Sequence, residues 1–195
     1  MKRLLITGFD PFGGADINPS WEAVMRLPDQ IGDWQLTKLE IPTVFGLAAQ
    51  TVLDVAHDLQ PEAIICVGQA GGRNSVTPEV YGVNLRHARI ADNAGNQPLI
   101  NPIVQGAPGT IASTLPVRDM VHAVCKQGLP CRLSYSAGRF VCNDVLYTLL
   151  HHYRNTHTKV GFIHVPYLPE QAKEGQASMG LENIARALEI MIRTI

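Results

Sequence analysis

The chain is predicted to form an α/β fold, a single-domain αβα sandwich with a twisted, mostly parallel mixed sheet flanked by helices, and three observations predict it. Apolar runs of strand length alternate with segments of helical period along the sequence, the pattern of a sheet covered on both faces. Hydrophobic residues make up 46% of the chain and charged residues 17%, enough apolar material for a sizeable core and too little charge for disorder. Composition does not shift along the 195 residues, so one domain spanning 1–195 is expected.

The first strand is predicted over Arg3 to Thr7. Its flanks, Met1-Lys2 and the run to Phe9, have some of the look of a signal peptide, but the run is short and meets Asp10, Pro11 and two glycines at once, so it reads as a strand. The first helix starts at Asn18-Pro19, because Asn caps well and proline at the first helical position loses no hydrogen bond. It is expected to carry Trp21, Val24 and Met25 on one face. Further strands are predicted over Gln35–Ile41, Ala63–Val67, Arg132–Tyr135 and Val160–Val165, and helices over Gly46–Leu59, Pro116–Lys126, about Val141 to Tyr153, and from Leu181 to the C-terminus. The last places Leu181, Ile184, Leu188 and Ile192 near helical spacing, as a docking face requires. One region breaks the alternation: Gln69 to Thr114 is rich in Gly, Pro, Asn and Arg, with a hairpin expected around Val80 to Ile90 and a turn cluster from Asp92 to Pro98. A long irregular excursion in a compact domain is usually functional.

Charge excludes some partners. Sixteen basic against seventeen acidic residues give a net charge of -1 with no block of either sign, so neither nucleic acid nor a membrane surface is expected to bind. No apolar run approaches the ~18 residues of a membrane span. Cys66, Cys125, Cys131 and Cys142 form no C-x-x-C pair, which points to reduced thiols and a cytoplasmic location.

Thr7-Gly8-Phe9-Asp10-Pro11-Phe12-Gly13-Gly14 follows a strand as a dinucleotide loop does, yet it lacks the G-x-G-x-x-G spacing and the P-loop lysine. It is either a plain turn or a pocket wall in which Phe9 and Phe12 present rings to a small apolar ligand. Gly68-Gln69-Ala70-Gly71-Gly72-Arg73 leaves the most hydrophobic central strand at its carboxyl end, where open α/β sheets hold ligands.

Cys142 lies where a small-residue turn gives way to a helix. Helix N-terminal N–H groups favour a thiolate and can also hold an oxyanion. The alternative is a buried structural cysteine, the reading given to Cys66, Cys125 and Cys131. Of seven histidines, His164 alone stands at the carboxyl end of an apolar strand. By itself it reads as a satisfied core residue more often than as a base; paired with Cys142 it is a candidate base. His151, His152 and His157 fit no zinc spacing. A carboxylate is needed to fix the imidazole tautomer. Glu79 and Asp92 both qualify, and spacing does not choose between them.

At these residues the sequence resembles the pyroglutamyl peptidase I family of cysteine peptidases. The resemblance runs through the Thr7–Gly14 segment, Asn18-Pro19-Ser20, Gly68–Arg73, Asp92-Asn93, Ala137-Gly138 up to Cys142-Asn143, and Phe162–Pro166 up to Pro169-Glu170-Gln171. It implies Cys142 as nucleophile, His164 as general base and Glu79 as orienter. It also implies substrate contacts for Phe9, Phe12, Gln69, Ile90, Phe140 and Val141, and an arginine near the reaction centre at Arg89. The expected substrates are peptides with an N-terminal pyroglutamate, cleaved through a thioester, with no metal or organic cofactor, by a homo-oligomer (dimer or tetramer). After the glutamate the family pattern usually has Arg and a small residue, where this chain has Val80-Tyr81-Gly82. Two rival readings are a nucleoside phosphorylase or related hydrolase, which requires phosphate or ribose contacts, and a non-catalytic small-ligand binder with Cys142 merely buried.

Overall fold

Period-two alternation along the central strands decides the architecture. The computed structural model describes residues 1–195. In chain order the elements are β1 (Lys2–Phe9), α1 (Pro19–Arg26), β2 (Gln30–Ile31), β3 (Trp34–Ile41), α2 (Leu47–Leu59), β4 (Ala63–Gln69), β5 (Thr77–Pro78), β6 (Tyr81–Val83), β7 (Thr110–Ala112), α3 (Val117–Lys126), α4 (Val141–Tyr153), β8 (Lys159–Val165) and α5 (Leu181–Ile192). Leu4, Ile6, Ala63, Ile65, Val67, Ile163 and Val165 point to one face of the sheet and pack with α1, α3 and α5. Leu5, Phe9, Ile64, Cys66, Val160 and Phe162 point to the other and pack with α2 and α4. Because successive side chains of a strand alternate faces, even-numbered residues of β4 and β8 look toward α4.

The six-stranded sheet has the order β2-β3-β1-β4-β8-β5. β3, β1, β4 and β8 are mutually parallel, while β2 and β5 run antiparallel at the two edges. The predicted mixed αβα sandwich is therefore present. The first helix begins as read: Asn18 Oδ1 accepts from Ser20 N at 3.1 Å and Pro19 opens the helix. Gly8 lets α1 lie close to β1, since a Cβ there would sit 2.5 Å from the Trp21 Cα.

Three local expectations are corrected. Arg132–Tyr135 is no continuous strand; it runs beside the two-residue β5 and makes only isolated bridges, Val76 with Cys131 and Glu79 with Ser134. The hairpin over Val80 to Ile90 does not form, because β6 finds its partner in the distant β7. On α1 the buried face is Ser20, Ala23 and Val24, and Met25 is 53% exposed, rotated away from the sheet by the helical period.

Candidate active site

The site is assembled at the carboxyl end of β8. His164 is an even-numbered residue of that strand, so its ring looks toward α4, and it stands opposite Gly68 on β4 and Thr77 on β5. Cys142 is the second residue of α4. Its sulfur lies over Gly68: a Cβ at that glycine would come within 3.0 Å of Cys142 Sγ and 2.7 Å of Phe162 Cζ. Only glycine leaves this space open, and because Gly68 and His164 face each other across neighbouring strands, the thiol and the imidazole share one corner.

Glu79 follows β5 and is bonded into the sheet by its N–H to the Phe162 carbonyl at 2.9 Å. The antiparallel register brings its fully buried carboxylate to the imidazole, with His164 Nδ1 2.7 Å from Glu79 Oε1. Nδ1 donates to the carboxylate, which leaves Nε2 as the basic nitrogen. Burial by itself raises the Glu79 carboxyl, but the hydrogen bond and charge of His164, with help from the charge of Arg73, hold it below the usual carboxylate value. Burial pushes the His164 imidazolium down, more than Glu79 restores it. Burial, and then the charge of Glu79, push the Cys142 thiol up to about 12. The helix-end N–H of Cys142 favours the thiolate, as expected from the sequence, but burial and the charge of Glu79 outweigh it. Burial thus works against both the thiolate and the imidazolium at this corner.

The resemblance chose Glu79 over Asp92, and it is Glu79 that lies against His164. Asp92 Oδ2 accepts from Phe45 N at 2.9 Å, and Oδ1 accepts from Ala94 N at 3.0 Å and Asn96 N at 2.8 Å. Asp92 thus organises its own loop and anchors the start of α2. One residue was missed. Arg73 donates from NH1 to Glu79 Oε1 at 2.9 Å and to the Thr77 hydroxyl, and from NH2 to the Ser136 carbonyl at 3.1 Å. Its place at the end of the Gly68–Arg73 segment was the available signal.

At the carboxyl end of β4, one residue past Gly68, Gln69 lines a cavity of about 760 Å³ together with Phe12, Ile90, Tyr167 and Gln171, among others. Gln171 Nε2 donates to Gln69 Oε1 at 3.1 Å and to the Ile17 carbonyl at 3.2 Å, so the Pro169-Glu170-Gln171 motif holds the pocket wall. Phe140 stands between two other rings, 6.2 Å from Phe12 and 5.2 Å from Phe45, which the sequence reading also passed over. Three expected pocket residues sit differently. Phe9 and Val141 are core side chains, 2% and 0% exposed, that back the site and offer no surface to a ligand. Arg89 is exposed and makes no hydrogen bond or ion pair, so nothing holds it over the sulfur. A larger cleft of about 850 Å³ lies at the opposite ends of the strands, lined by Arg3, Glu62 and Thr158, away from the thiol.

The profile of the Pyroglutamyl peptidase family matches residues 2–195. The chain belongs to the pyroglutamyl peptidase family. A relative, the pyrrolidone-carboxylate peptidase of Bacillus thuringiensis (strain Al Hakam), is 44% identical over 98% of this chain and 92% of its own. The crystal structure of pyroglutamyl peptidase I from Bacillus amyloliquefaciens superposes with a TM-score of 0.95 at 44% identity, covering 100% of this chain and 96% of that one. Pyrrolidone carboxyl peptidase from Thermococcus litoralis gives 0.94 at 35% identity, over 100% and 93%. Members of the family are cysteine-type peptidases that remove N-terminal pyroglutamate, and this chain is such a hydrolase. No helix is long and apolar enough to cross a membrane.

Proposed function

We propose that Cys142, His164 and Glu79 carry out this hydrolysis, a reading supported above all by the 2.7 Å contact between His164 Nδ1 and Glu79 Oε1 beside a sulfur seated on Gly68. A pyroglutamyl group carries no ammonium, so its neutral ring suits aromatic walls with a few peptide-like partners. Phe12 and Phe140 supply ring faces, Ile90 closes the far side, and the main chain around Gln69 meets the lactam amide. Phe9 and Val141 hold those walls from behind, and Arg89, exposed and unpaired, reaches the substrate only by moving.

With the scissile carbonyl over the sulfur, His164 Nε2 takes the thiol proton as Sγ attacks, so thiolate forms only in the step that uses it. The positive charge that develops on the imidazole is met by the Glu79 carboxylate. The carbonyl oxygen turns toward the unpaired N–H groups that open α4, including that of Cys142. As the C–N bond breaks, His164 returns its proton to the departing peptide amine, which leaves a pyroglutamyl thioester on Cys142. Water, deprotonated by His164, then attacks that carbonyl; the C–S bond breaks, the thiol is reprotonated, and pyroglutamate leaves. The residues present accomplish this with no metal or organic cofactor.

Self-association as a dimer or tetramer is also proposed; Leu99 and Ile100, 68% and 74% exposed, give the excursion an apolar surface in keeping with it. Four free cysteines suit the reducing cytoplasm. The test of the catalytic reading is release of a fluorogenic amine from a pyroglutamyl amide under reducing conditions. Release is expected from the native chain and not from Cys142→Ala; release that persists in the variant would mean another nucleophile.

A further inference from the structure

We propose that Arg73 is a positioning residue of this machinery: its guanidinium fork fixes Glu79 against His164 and ties that pair to the strap that delivers Cys142. The inference rests on the catalytic reading above and adds a fourth member to it. Arg73 joins three separate segments. NH1 bonds Glu79 and the Thr77 hydroxyl at β5, and NH2 bonds the Ser136 carbonyl in the strap that turns at Gly138 (φ 79°) and leads into α4.

Both Arg73 and His164 use the same oxygen, Glu79 Oε1, at 2.9 and 2.7 Å, while Oε2 is buried with no hydrogen bond. Two donors on one oxygen set the rotation of the carboxylate; one donor alone leaves it free to turn Oε2 toward either neighbour. A planar fork does this where a lysine ammonium, a point charge, does not.

Arg73 is also the sole cation bonded to the site. Arg86 is engaged with Asp144 at 2.6 Å, and Asp144 in turn accepts from Gly46 N at 2.7 Å. Arg89 is exposed and unpaired. From β4 the facing titratable group is Cys66, whose thiol is buried and neutral, and from the strap it is the uncharged Ser134. A fixed positive charge here favours the Glu79 carboxylate, opposes a resting imidazolium and eases thiolate formation, the directions in which Arg73 acts on all three groups. The side chain remains reachable, because its outer face lines a cleft of about 340 Å³ with Thr77, Arg132, Ser134 and Tyr135.

The experiment compares native protein, Arg73→Gln and Arg73→Lys by two readouts. One is the pH profile of kcat/KM on a fluorogenic pyroglutamyl amide. The other is the rate at which iodoacetamide alkylates Cys142 at pH 8, followed by peptide mass spectrometry so that the exposed Cys125 is counted separately. Loss of a charged hydrogen-bond fork lowers kcat/KM of Arg73→Gln roughly 10- to 100-fold. Its acid limb moves to higher pH, and Cys142 alkylates more slowly. Arg73→Lys keeps the charge and so keeps the native acid limb and alkylation rate, with kcat/KM still reduced. Millimolar guanidinium added to Arg73→Ala recovers part of the lost rate through the open cleft. An acid limb and an alkylation rate in Arg73→Gln that coincide with the native ones overturn the proposal, whatever the activity, because a merely structural residue would move neither. Full native kcat/KM in Arg73→Lys overturns the part played by the fork and serves as the test if Arg73→Gln does not fold. Alkylation needs no turnover, so a native chain that hydrolyses no pyroglutamyl amide would sink the catalytic reading while the effect of Arg73 on the thiol was still measured.

Discussion

Replacing Glu79 by Gln keeps the shape of the side chain and removes its charge, and the geometry says how that fails. If the amide oxygen takes the place of Oε1, it still accepts from Arg73 and His164, but the amide NH2 then lies where Oε2 was, a buried position with no partner. An unmet buried donor costs about 1–3 kcal/mol, and the neutral oxygen no longer balances the imidazolium that forms during attack. If the amide flips, its NH2 faces His164 Nδ1, the imidazole proton moves to Nε2, and the nitrogen that should take the thiol proton is blocked. The second arrangement corresponds to the loss of about 10⁴ in kcat seen when a triad carboxylate becomes an amide in serine proteases. A fall in kcat/KM of roughly 10³ to 10⁴ is therefore expected, or about 4–5.5 kcal/mol at 1.36 kcal/mol per tenfold. The assay is steady-state release of a fluorogenic amine, with circular dichroism to establish that the variant is folded. Activity within tenfold of native in folded Glu79→Gln would refute the role of this carboxylate.

Two further expectations follow from the same corner. Gly68→Ala places a methyl 2.7 Å from Phe162 Cζ and 3.0 Å from Cys142 Sγ, so ring or sulfur must shift; overpacking of this kind costs about 1–3 kcal/mol of stability, read as a lowered Tm, and misplacing the sulfur lowers kcat/KM by on the order of 100-fold. A native Tm and native kinetics in this variant would show the sulfur to be elsewhere. In acid, Glu79 and His164 act in the same direction. Both have folded values depressed below their ordinary 4.5 and 6.5, so the unfolded chain binds more protons than the folded one as pH falls. The stability they contribute is complete above about pH 6.5 and is lost first through His164 below that value, then through Glu79 below 4.5. Tm measured from pH 8 to pH 4 should fall on acidification, less steeply in His164→Gln; a Tm that rises toward pH 5 would contradict the depressed imidazole.

Much of this was legible in the sequence where the signal is local. Asn18-Pro19 announced its helix because a cap and a first-turn proline act within three residues. His164 stood out because a polar residue at the end of an apolar strand has few places to go. The edge of the sheet was not legible. Arg132–Tyr135 has strand-like composition, but its only neighbour, β5, is two residues long, and a ladder needs a partner of matching length. β6 pairs with a segment nearly thirty positions away, which no turn signal encodes. The same limit hid Arg73 and kept spacing from choosing between Glu79 and Asp92, a choice that only the family resemblance made. Arg73 closes a glycine segment placed by the sequence at the ligand edge, but its partner is set only by the antiparallel run of β5 along β8, which turns Glu79 inward beneath it. Phe9 and Val141 show the converse. The family resemblance implied substrate contacts for both, whereas alternation along β1 and the first turn of α4 sends both side chains into the core.

The central claim is that an acyl group passes through Cys142. Rapid acid quench of native protein mixed with a pyroglutamyl ester, followed by peptide mapping, tests it most directly. The account predicts one pyroglutamyl group on the peptide containing Cys142, absent from Cys142→Ala and longer-lived in His164→Gln. Turnover without that adduct, or with the acyl group on Cys66, Cys125 or Cys131, would contradict it.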